Sequence, residues 1–149
     1  MESRADTILA SLKGAGLKLT PQRIAIVREI ADDRSHPTAQ SLFERLRPAF
    51  PTMSFATVYN TLDALSRCGL AGALPFTDSR GAVRFDPNTE PHHHAVCDVC
   101  GVVVDIPHAP ASRAPGSRAD VPRIVGGFRV LREERIFRGS CESCSSKLG

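Results

Sequence analysis

The chain has 149 residues, of which 42% are hydrophobic and 23% charged, a composition typical of a folded protein rather than a disordered tail. The formal net charge of +3 is too small to indicate sequence-independent binding of phosphates, so any DNA-binding role must be carried by motifs. The sequence contains no apolar run of about 18 residues, the length that a membrane-spanning helix needs. The N-terminus carries acidic residues and no long apolar core, so we expect no signal peptide and a cytoplasmic location, where thiols stay reduced.

Four short helices are predicted in the first part of the chain. Ser3, Thr20, Thr38 and Ser54 each stand where a helix N-cap is expected, and apolar residues recur after each of them at helical spacing. The residues expected to face a core are Ala5, Ile8, Leu9, Leu12, Ile24, Val27, Ala31, Leu42, Phe43, Leu46, Val58, Leu62 and Leu65.

Two short strands are predicted next, over residues 70–76 and 82–86, around a turn at 78–81. Helices followed by a β-hairpin are the element order of a winged helix, a variant of the helix-turn-helix. We therefore assign residues 1–86 to a winged-helix DNA-binding domain and the Pro- and Asn-containing stretch 87–92 to a linker.

Residues 93–149 are assigned to a small second domain, which makes the fold class α+β. Strands are predicted over 102–106 and 128–137. The segment 107–122 is rich in proline and predicts a loop, with at most a short helix near 120–125.

Two C-x-x-C pairs are the strongest chemical signal in the sequence. Cys97 with Cys100 and Cys141 with Cys144 can bring four thiolates to the corners of a tetrahedron, which is the geometry of a closed structural Zn²⁺ site. The alternative, four unrelated buried cysteines, is disfavoured by the repeated spacing. Cys68 is left over, and we expect it to be a small buried hydrophobic residue.

A run of three histidines precedes the first C-x-x-C pair. In an extended chain His92 and His94 point to the same side, where they can chelate a divalent metal, although such a run can also be a polar surface stretch. Asp86 and Asp105 offer oxygen ligands, and a mixed nitrogen–oxygen set suits Fe²⁺ or Mn²⁺. His36 precedes a helix, where it is either a ligand or an exposed loop residue.

Taken together, these segments resemble the ferric uptake regulator family. The resemblance runs in order along nearly the whole chain. The matching pieces are GLKLTPQR at 16–23, HPTA at 36–39, SFATVYNTL at 54–62, RFD at 84–86, HxHxxCxxCG at 92–101 and GxCxxC at 139–144.

The resemblance implies a homodimeric, metal-dependent transcriptional repressor that is not an enzyme. Each subunit would hold a winged-helix domain and an α/β dimerisation domain with the four-cysteine zinc. A regulatory Fe²⁺ or Mn²⁺ would lie between the two domains and set their angle, so that the loaded dimer fits a palindromic, AT-rich operator in double-stranded DNA. The regulatory ligands implied by the matching positions are His36, Asp86, His92, His94 and Asp105.

The fourth helix would then read the DNA. If Val58 and Leu62 face inward, helical geometry turns Ala56, Thr57 and Asn60 outward and leaves Tyr59 at the border, where it could equally be a core aromatic. Lys18 matches a family position that approaches the minor groove. The full set of expected DNA contacts is Lys18, Arg23, Ser54, Ala56, Thr57, Tyr59 and Asn60.

Two residues favour the peroxide-sensing subgroup of the family. Asn60 stands where iron-uptake regulators usually carry Arg, and Asp105 stands where they tend to carry Glu. The implied mechanism is a bound Fe²⁺ that reacts with hydrogen peroxide, so that oxygen is added to His36 or His92 and metal and DNA are released.

Three other functions remain as alternatives. Within the family, the alternative is an iron- or zinc-uptake regulator that senses metal availability only. From other classes, a zinc hydrolase would use the histidines catalytically, but the sequence lacks a H-E-x-x-H motif. A zinc-ribbon interaction module without a DNA role would need only the cysteines.

Overall fold

The computed structural model describes residues 1–75, 81–107, 124–131 and 134–147, and the chain divides into two compact units, Met1–Thr89 and Glu90–Gly149. Most of the predicted turn at 78–81 and most of the proline-rich segment 107–122 lie outside the described residues. Among the helices that are described, none has the length and apolar character needed to cross a membrane.

In its described residues, the N-terminal unit has four helices and a two-stranded antiparallel sheet. In each helix the predicted N-cap hydroxyl accepts a hydrogen bond from the backbone N–H three residues on, which satisfies one of the donors that a helix start leaves unpaired. The elements are α1 (Arg4–Gly14), α2 (Pro21–Ile30), α3 (Ala39–Leu46), α4 (Phe55–Arg67), β1 (Gly72–Leu74) and β2 (Arg84–Asp86). This is the predicted element order of a winged helix.

The core of this unit includes the helix faces that the sequence pattern predicted, and also Ile26 and Ile30 of α2, which were not predicted to be buried. Leu12, Leu42 and Leu62 are fully buried, whereas Ile24 and Phe43 are only partly buried and pack against the edge of the cluster. Burial of this apolar surface fixes α4 against α2 and α3, and it leaves the opposite side of α4 exposed.

The strands of the hairpin are shorter than predicted, three residues each. The N-terminal end of the predicted first strand belongs to the helix end instead, because the Leu70 N–H donates to the Leu65 carbonyl. The Cys68 backbone caps α4 and its side chain is exposed, so the prediction of a buried cysteine was wrong.

The C-terminal unit is built on a three-stranded sheet. Its elements are β3 (His92–Cys97), β4 (Val103–Pro107), β5 (Ile124–Val125), β6 (Phe128–Arg129), β7 (Ile136–Gly139) and α5 (Glu142–Ser145). The strand order is β4-β3-β7, with β3 antiparallel to β4 and parallel to β7. His92, which we had placed in the linker, is the first residue of β3.

The remaining strands correct two sequence predictions. The single strand predicted over 128–137 is two strands, and β6 pairs with β5 in a separate hairpin. The turn of that hairpin consists of Gly126 and Gly127, whose φ angles of 55° and 81° are the positive values that a tight hairpin turn requires. Of the helix proposed near 120–125, residues 120–123 lie outside the described residues, and 124–125 form β5.

Candidate metal centres and nucleic-acid interface

The four paired cysteines are brought together by the parallel strands β3 and β7. Cys97 ends β3 and lies opposite Gly139 in the register, which places the following residues of the chain beside it. Cys141 is the N-cap of α5 and Cys144 lies within that short helix, which the sequence analysis did not predict. A long-range strand pairing therefore joins two segments that are each local turns.

The geometry of the four thiols fits one tetrahedral metal ion. Their Sγ atoms lie within 4.8 Å of one another, and the Cys100 and Cys141 sulfurs are 3.8 Å apart. A tetrahedral ion with metal–sulfur bonds of about 2.3 Å requires sulfurs separated by about 3.8 Å. The turn after Cys100 is completed by Gly101, whose φ of 77° is a left-handed conformation that favours glycine. The donor set and its spacing are those of a structural Zn²⁺ site.

The protein environment shifts the pKa values of the Cys97 and Cys144 thiols in opposite directions. Backbone N–H groups of Cys100 and then Cys141 donate to the Cys97 sulfur and lower the pKa of that thiol to about 6. Hydrogen bonding with the Cys141 side chain, followed by burial, raises the pKa of Cys144 to about 12. The Cys97 thiolate is thus available to a metal at neutral pH, whereas Cys144 ionises only when a cation replaces its proton.

A second cluster of ligand atoms lies within the C-terminal unit. Asp105 on β4 pairs with His94 on β3, and its Oδ1 lies 3.1 Å from His92 Nε2 and 3.4 Å from His94 Nε2. The two Nε2 atoms are 2.9 Å apart. Ligands about 2.1 Å from one ion lie about 3.0 Å apart at a right angle and about 3.4 Å apart at the tetrahedral angle. The three atoms therefore have the spacing of one face of a metal coordination shell.

The partners of the two rings decide which nitrogen faces this cluster. His92 Nδ1 lies 2.6 Å from the Glu90 carbonyl oxygen, and His94 Nδ1 lies 2.9 Å from Glu134 Oε1. Both partners accept hydrogen bonds, so a proton on Nδ1 of each ring would leave the Nε2 atom, on the side of Asp105, as the ligand for a metal. Glu134 was missed by the sequence analysis because it is far along the chain in a segment without regular alternation.

The other two predicted regulatory ligands meet within the N-terminal unit. His36 Nε2 lies 3.5 Å from Asp86 Oδ2, and both side chains are buried. Of the two alternatives for His36, the exposed loop residue is thereby excluded. His36 also has a φ of 54°, a left-handed conformation that costs a residue other than glycine about 1–3 kcal/mol. Such strain persists only where the surroundings enforce it.

The expected DNA contacts on α4 share one exposed face. Ala56, Tyr59 and Asn60 are exposed and Thr57 is half-exposed, as the inward positions of the helix require. Tyr59 is 49% exposed, which excludes the core alternative for this aromatic ring. Phe55 is also exposed, at 43%, and its ring lies 6.5 Å from that of Tyr59. Phe55 was not among the predicted residues of this face, although an aromatic residue at the first position of a surface helix was the available signal.

The remaining expected contacts have structural partners of their own. Ser54 caps α4 and its hydroxyl lies 2.9 Å from the Thr57 hydroxyl. Arg23 donates from Nη1 to the Lys18 carbonyl at 2.7 Å, which fixes the loop before α2 and leaves the Lys18 side chain exposed. Arg23 therefore holds the Lys18 backbone in place, and this role is separate from any contact that Arg23 makes with DNA.

One face of the three-stranded sheet is apolar and exposed. Val104 and Phe137 flank Ala95 across the three strands, and they are 48% and 49% exposed. These residues line a shallow cavity of about 210 Å³. An exposed apolar face of this kind is typical of a protein–protein contact.

The chain is similar in sequence and in fold to known proteins of one family. The model of the ferric uptake regulator family matches residues 14–120. A protein of Staphylococcus epidermidis named peroxide-responsive repressor PerR is 35% identical over 147 residues, which are 99% of this chain and 94% of the relative. The solved structure of PerR from Streptococcus pyogenes, described in terms of peroxide sensing and gene regulation, is 27% identical, with 95% and 93% coverage and a TM-score of 0.54. The ferric uptake regulator of Helicobacter pylori, at 19% identity and 97% and 95% coverage, shares the fold with a TM-score of 0.75.

Proposed function

The chain belongs to the ferric uptake regulator family, and within that family of metal-responsive transcriptional regulators we propose that it is a peroxide-sensing repressor of the PerR type. It would act as a homodimer in the cytoplasm, on a palindromic AT-rich operator. The observation that carries the proposal is the convergence of His92 Nε2, His94 Nε2 and Asp105 Oδ1.

The chemistry of these donors selects the metal. Two imidazoles and one carboxylate on one face of an ion, with positions left for further ligands, are the set found around non-haem Fe²⁺. His36 and Asp86 supply one more nitrogen and one more oxygen, and we propose that they complete the shell in the repressing state. Mn²⁺ accepts the same ligands, whereas the four thiols are suited to a structural Zn²⁺.

Ligands contributed by both units turn metal binding into a conformational signal. A cation that needs donors from each unit favours the arrangement in which all of them reach it, and it shifts the population toward that arrangement. In a homodimer this fixes the two copies of α4 relative to each other, which is the condition for reading two half-sites of a palindrome. The apolar sheet face that includes Val104 and Phe137 supports dimerisation, because a second copy would cover it.

The exposed face of α4 supports a role in reading bases. Asn60 offers both an amide donor and a carbonyl acceptor, which match the edge of adenine in the major groove. The rings of Phe55 and Tyr59 offer apolar surface to thymine methyl groups. Both preferences are for A·T pairs, in agreement with an AT-rich operator.

Peroxide sensing requires a ligand that is lost on oxidation. Fe²⁺ held by these residues would activate hydrogen peroxide for attack on a nearby ring, and the imidazole would supply the two electrons that reduction of the peroxide consumes. One oxygen atom replaces hydrogen on an imidazole carbon of His36 or His92 and the other leaves as water, so the imidazole is oxidised and the peroxide reduced. The oxidised ring has lost the basic nitrogen that bound the cation, so the site releases its metal and the dimer releases DNA.

The test is mass spectrometry of protein loaded anaerobically with Fe²⁺ and treated briefly with hydrogen peroxide. We expect one added oxygen on the peptide of His36 or on that of His92, and no addition when Mn²⁺ replaces iron. His93 provides an internal control, because its ring accepts from the Arg135 N–H instead of facing Asp105. Unmodified histidines in protein verified to hold iron would refute peroxide sensing and favour a regulator of metal uptake.

A further inference from the structure

Arg84 links the hairpin of the N-terminal unit to the His36 backbone. It lies in β2, two residues before Asp86, and its Nη1 donates to the His36 carbonyl oxygen at 3.0 Å. The side chain is partly buried, which makes this contact less accessible to competing water than a surface hydrogen bond.

The same strand holds the residues that follow His36. The Phe85 N–H donates to the Pro37 carbonyl at 2.9 Å, and Thr38 forms an isolated antiparallel bridge with Arg84. Residues 36–38 therefore lie along β2 as a short additional edge, which ends where Thr38 caps α3. Asp86, the partner of His36, is fixed by the same strand through its pairing with Gly72.

His36 needs such support because its backbone is in the left-handed region, at a φ of 54°. In this sparsely populated conformation the backbone of His36 depends on its neighbours to hold it in place. A donor held on the carbonyl restrains the His36 peptide group, and so the backbone position from which the imidazole extends toward Asp86 Oδ2, 3.5 Å from Nε2.

We propose that Arg84 is a positioning residue for the regulatory metal, acting through the His36 peptide group. The inference rests on the proposed function of His36 and Asp86 as ligands. The planar guanidinium presents its donors in a fixed fork, so its direction is more closely defined than that of the flexible ammonium of lysine. Residues outside the coordination shell that hold a ligand in place increase the affinity of the site for metal.

The test compares Arg84→Gln and Arg84→Lys with the unchanged full-length, zinc-containing protein. Mn²⁺ affinity is measured by competition with a chelating dye, and zinc content and thermal unfolding are recorded for each variant. We expect Arg84→Gln to weaken Mn²⁺ binding about tenfold to a hundredfold, and Arg84→Lys to lie between it and the unchanged protein. Arg67→Gln is the matched control, since Arg67 is exposed and pairs with Asp63 within α4.

A double-mutant comparison separates positioning from general support of the hairpin. In a His36→Ala background, Arg84→Gln should cause no further loss of Mn²⁺ affinity, because the residue through which it acts has lost its ring. In an Asp105→Ala background, Arg84→Gln should still weaken Mn²⁺ binding, because His36 is intact there. An equal loss in both backgrounds, or an unchanged affinity in folded Arg84→Gln, would overturn the proposal. If Arg84→Gln unfolds, Arg84→Lys carries the same comparison.

The outcomes also distinguish this inference from the proposed function. Tight Mn²⁺ binding that Arg84→Gln weakens, in a protein whose histidines stay unmodified by peroxide, would support the role of Arg84 and refute peroxide sensing. Histidine oxidation by peroxide, in a protein whose Mn²⁺ affinity does not change in Arg84→Gln, would support peroxide sensing and refute the role of Arg84.

Discussion

Glu134 provides a sharp test of the metal site in the C-terminal unit. Its Oε1 accepts a hydrogen bond from His94 Nδ1 at 2.9 Å, and this contact holds the ring with Nε2 toward Asp105. In Glu134→Ala the ring loses both its orientation and the negative charge that makes Nε2 a stronger donor to metal. We expect weaker binding of Mn²⁺, without loss of the structural zinc.

The size of the effect follows from the exposure of the pair. Hydrogen bonds to charged groups contribute about 1.5–3 kcal/mol. The Glu134 side chain is 39% exposed, so solvent screens the interaction and the lower end of that range applies. A loss of about 1.4 kcal/mol corresponds to tenfold weaker binding of Mn²⁺. Glu134→Gln keeps an acceptor but not the charge, so its loss should be smaller.

Calorimetric titration of zinc-containing protein with Mn²⁺ measures this change directly. Glu44→Ala is the control, because Glu44 is an exposed carboxylate of the other unit that pairs with Gln40. Glu44→Ala changes the net charge by the same amount as Glu134→Ala, but it leaves the surroundings of the His92 and His94 imidazoles unchanged. If Glu134→Ala binds Mn²⁺ as tightly as the Glu44 variant, the argument that His94 depends on this carboxylate is wrong.

Three variants and one pH profile test the remaining features. Cys100→Ser should lose zinc and convert the dimer to monomers or aggregates in light scattering; a zinc-replete dimer would show that this thiol is dispensable. Metal-free protein should release about one proton fewer per Zn²⁺ bound above the Cys97 pKa of about 6 than below it, because that thiol is then already ionised; an unchanged number from about pH 5 to pH 7 would contradict this assignment. Phe137→Glu should place a charge on the apolar sheet face and give monomers that still contain zinc, and an intact dimer would exclude this face. Asn60→Ala should weaken operator binding by about 1–3 kcal/mol in anisotropy titrations, whereas Gln40→Ala, on a different helix, should not; equal effects would remove Asn60 from the DNA contacts.

The N-terminal helices could be predicted from the sequence because their determinants are local. A hydroxyl residue caps each helix through a backbone N–H three residues on, and apolar side chains recur with the period of the helix itself. The paired spacing of the cysteines is equally local, since each C-x-x-C is a single turn. The winged-helix order of elements and the grouping of four thiols were therefore both predictable.

Only the tertiary structure decided the features that depend on distant segments. The length of a strand depends on the strand with which it pairs. The single strand predicted over 128–137 is two strands, because β6 pairs with β5 and β7 pairs with β3. The roles of Glu134 and Arg84 arise from contacts across 40 and 48 positions of sequence, which no local period records. The exposure of Cys68 likewise depends on where the end of α4 lies relative to the core. The sequence by itself determined the helices and the chemistry of the ligands, because caps and short spacings act within a few residues. The orientation of His94 and the support of the His36 backbone were decided by the fold, because Glu134 and Arg84 come from distant parts of the chain.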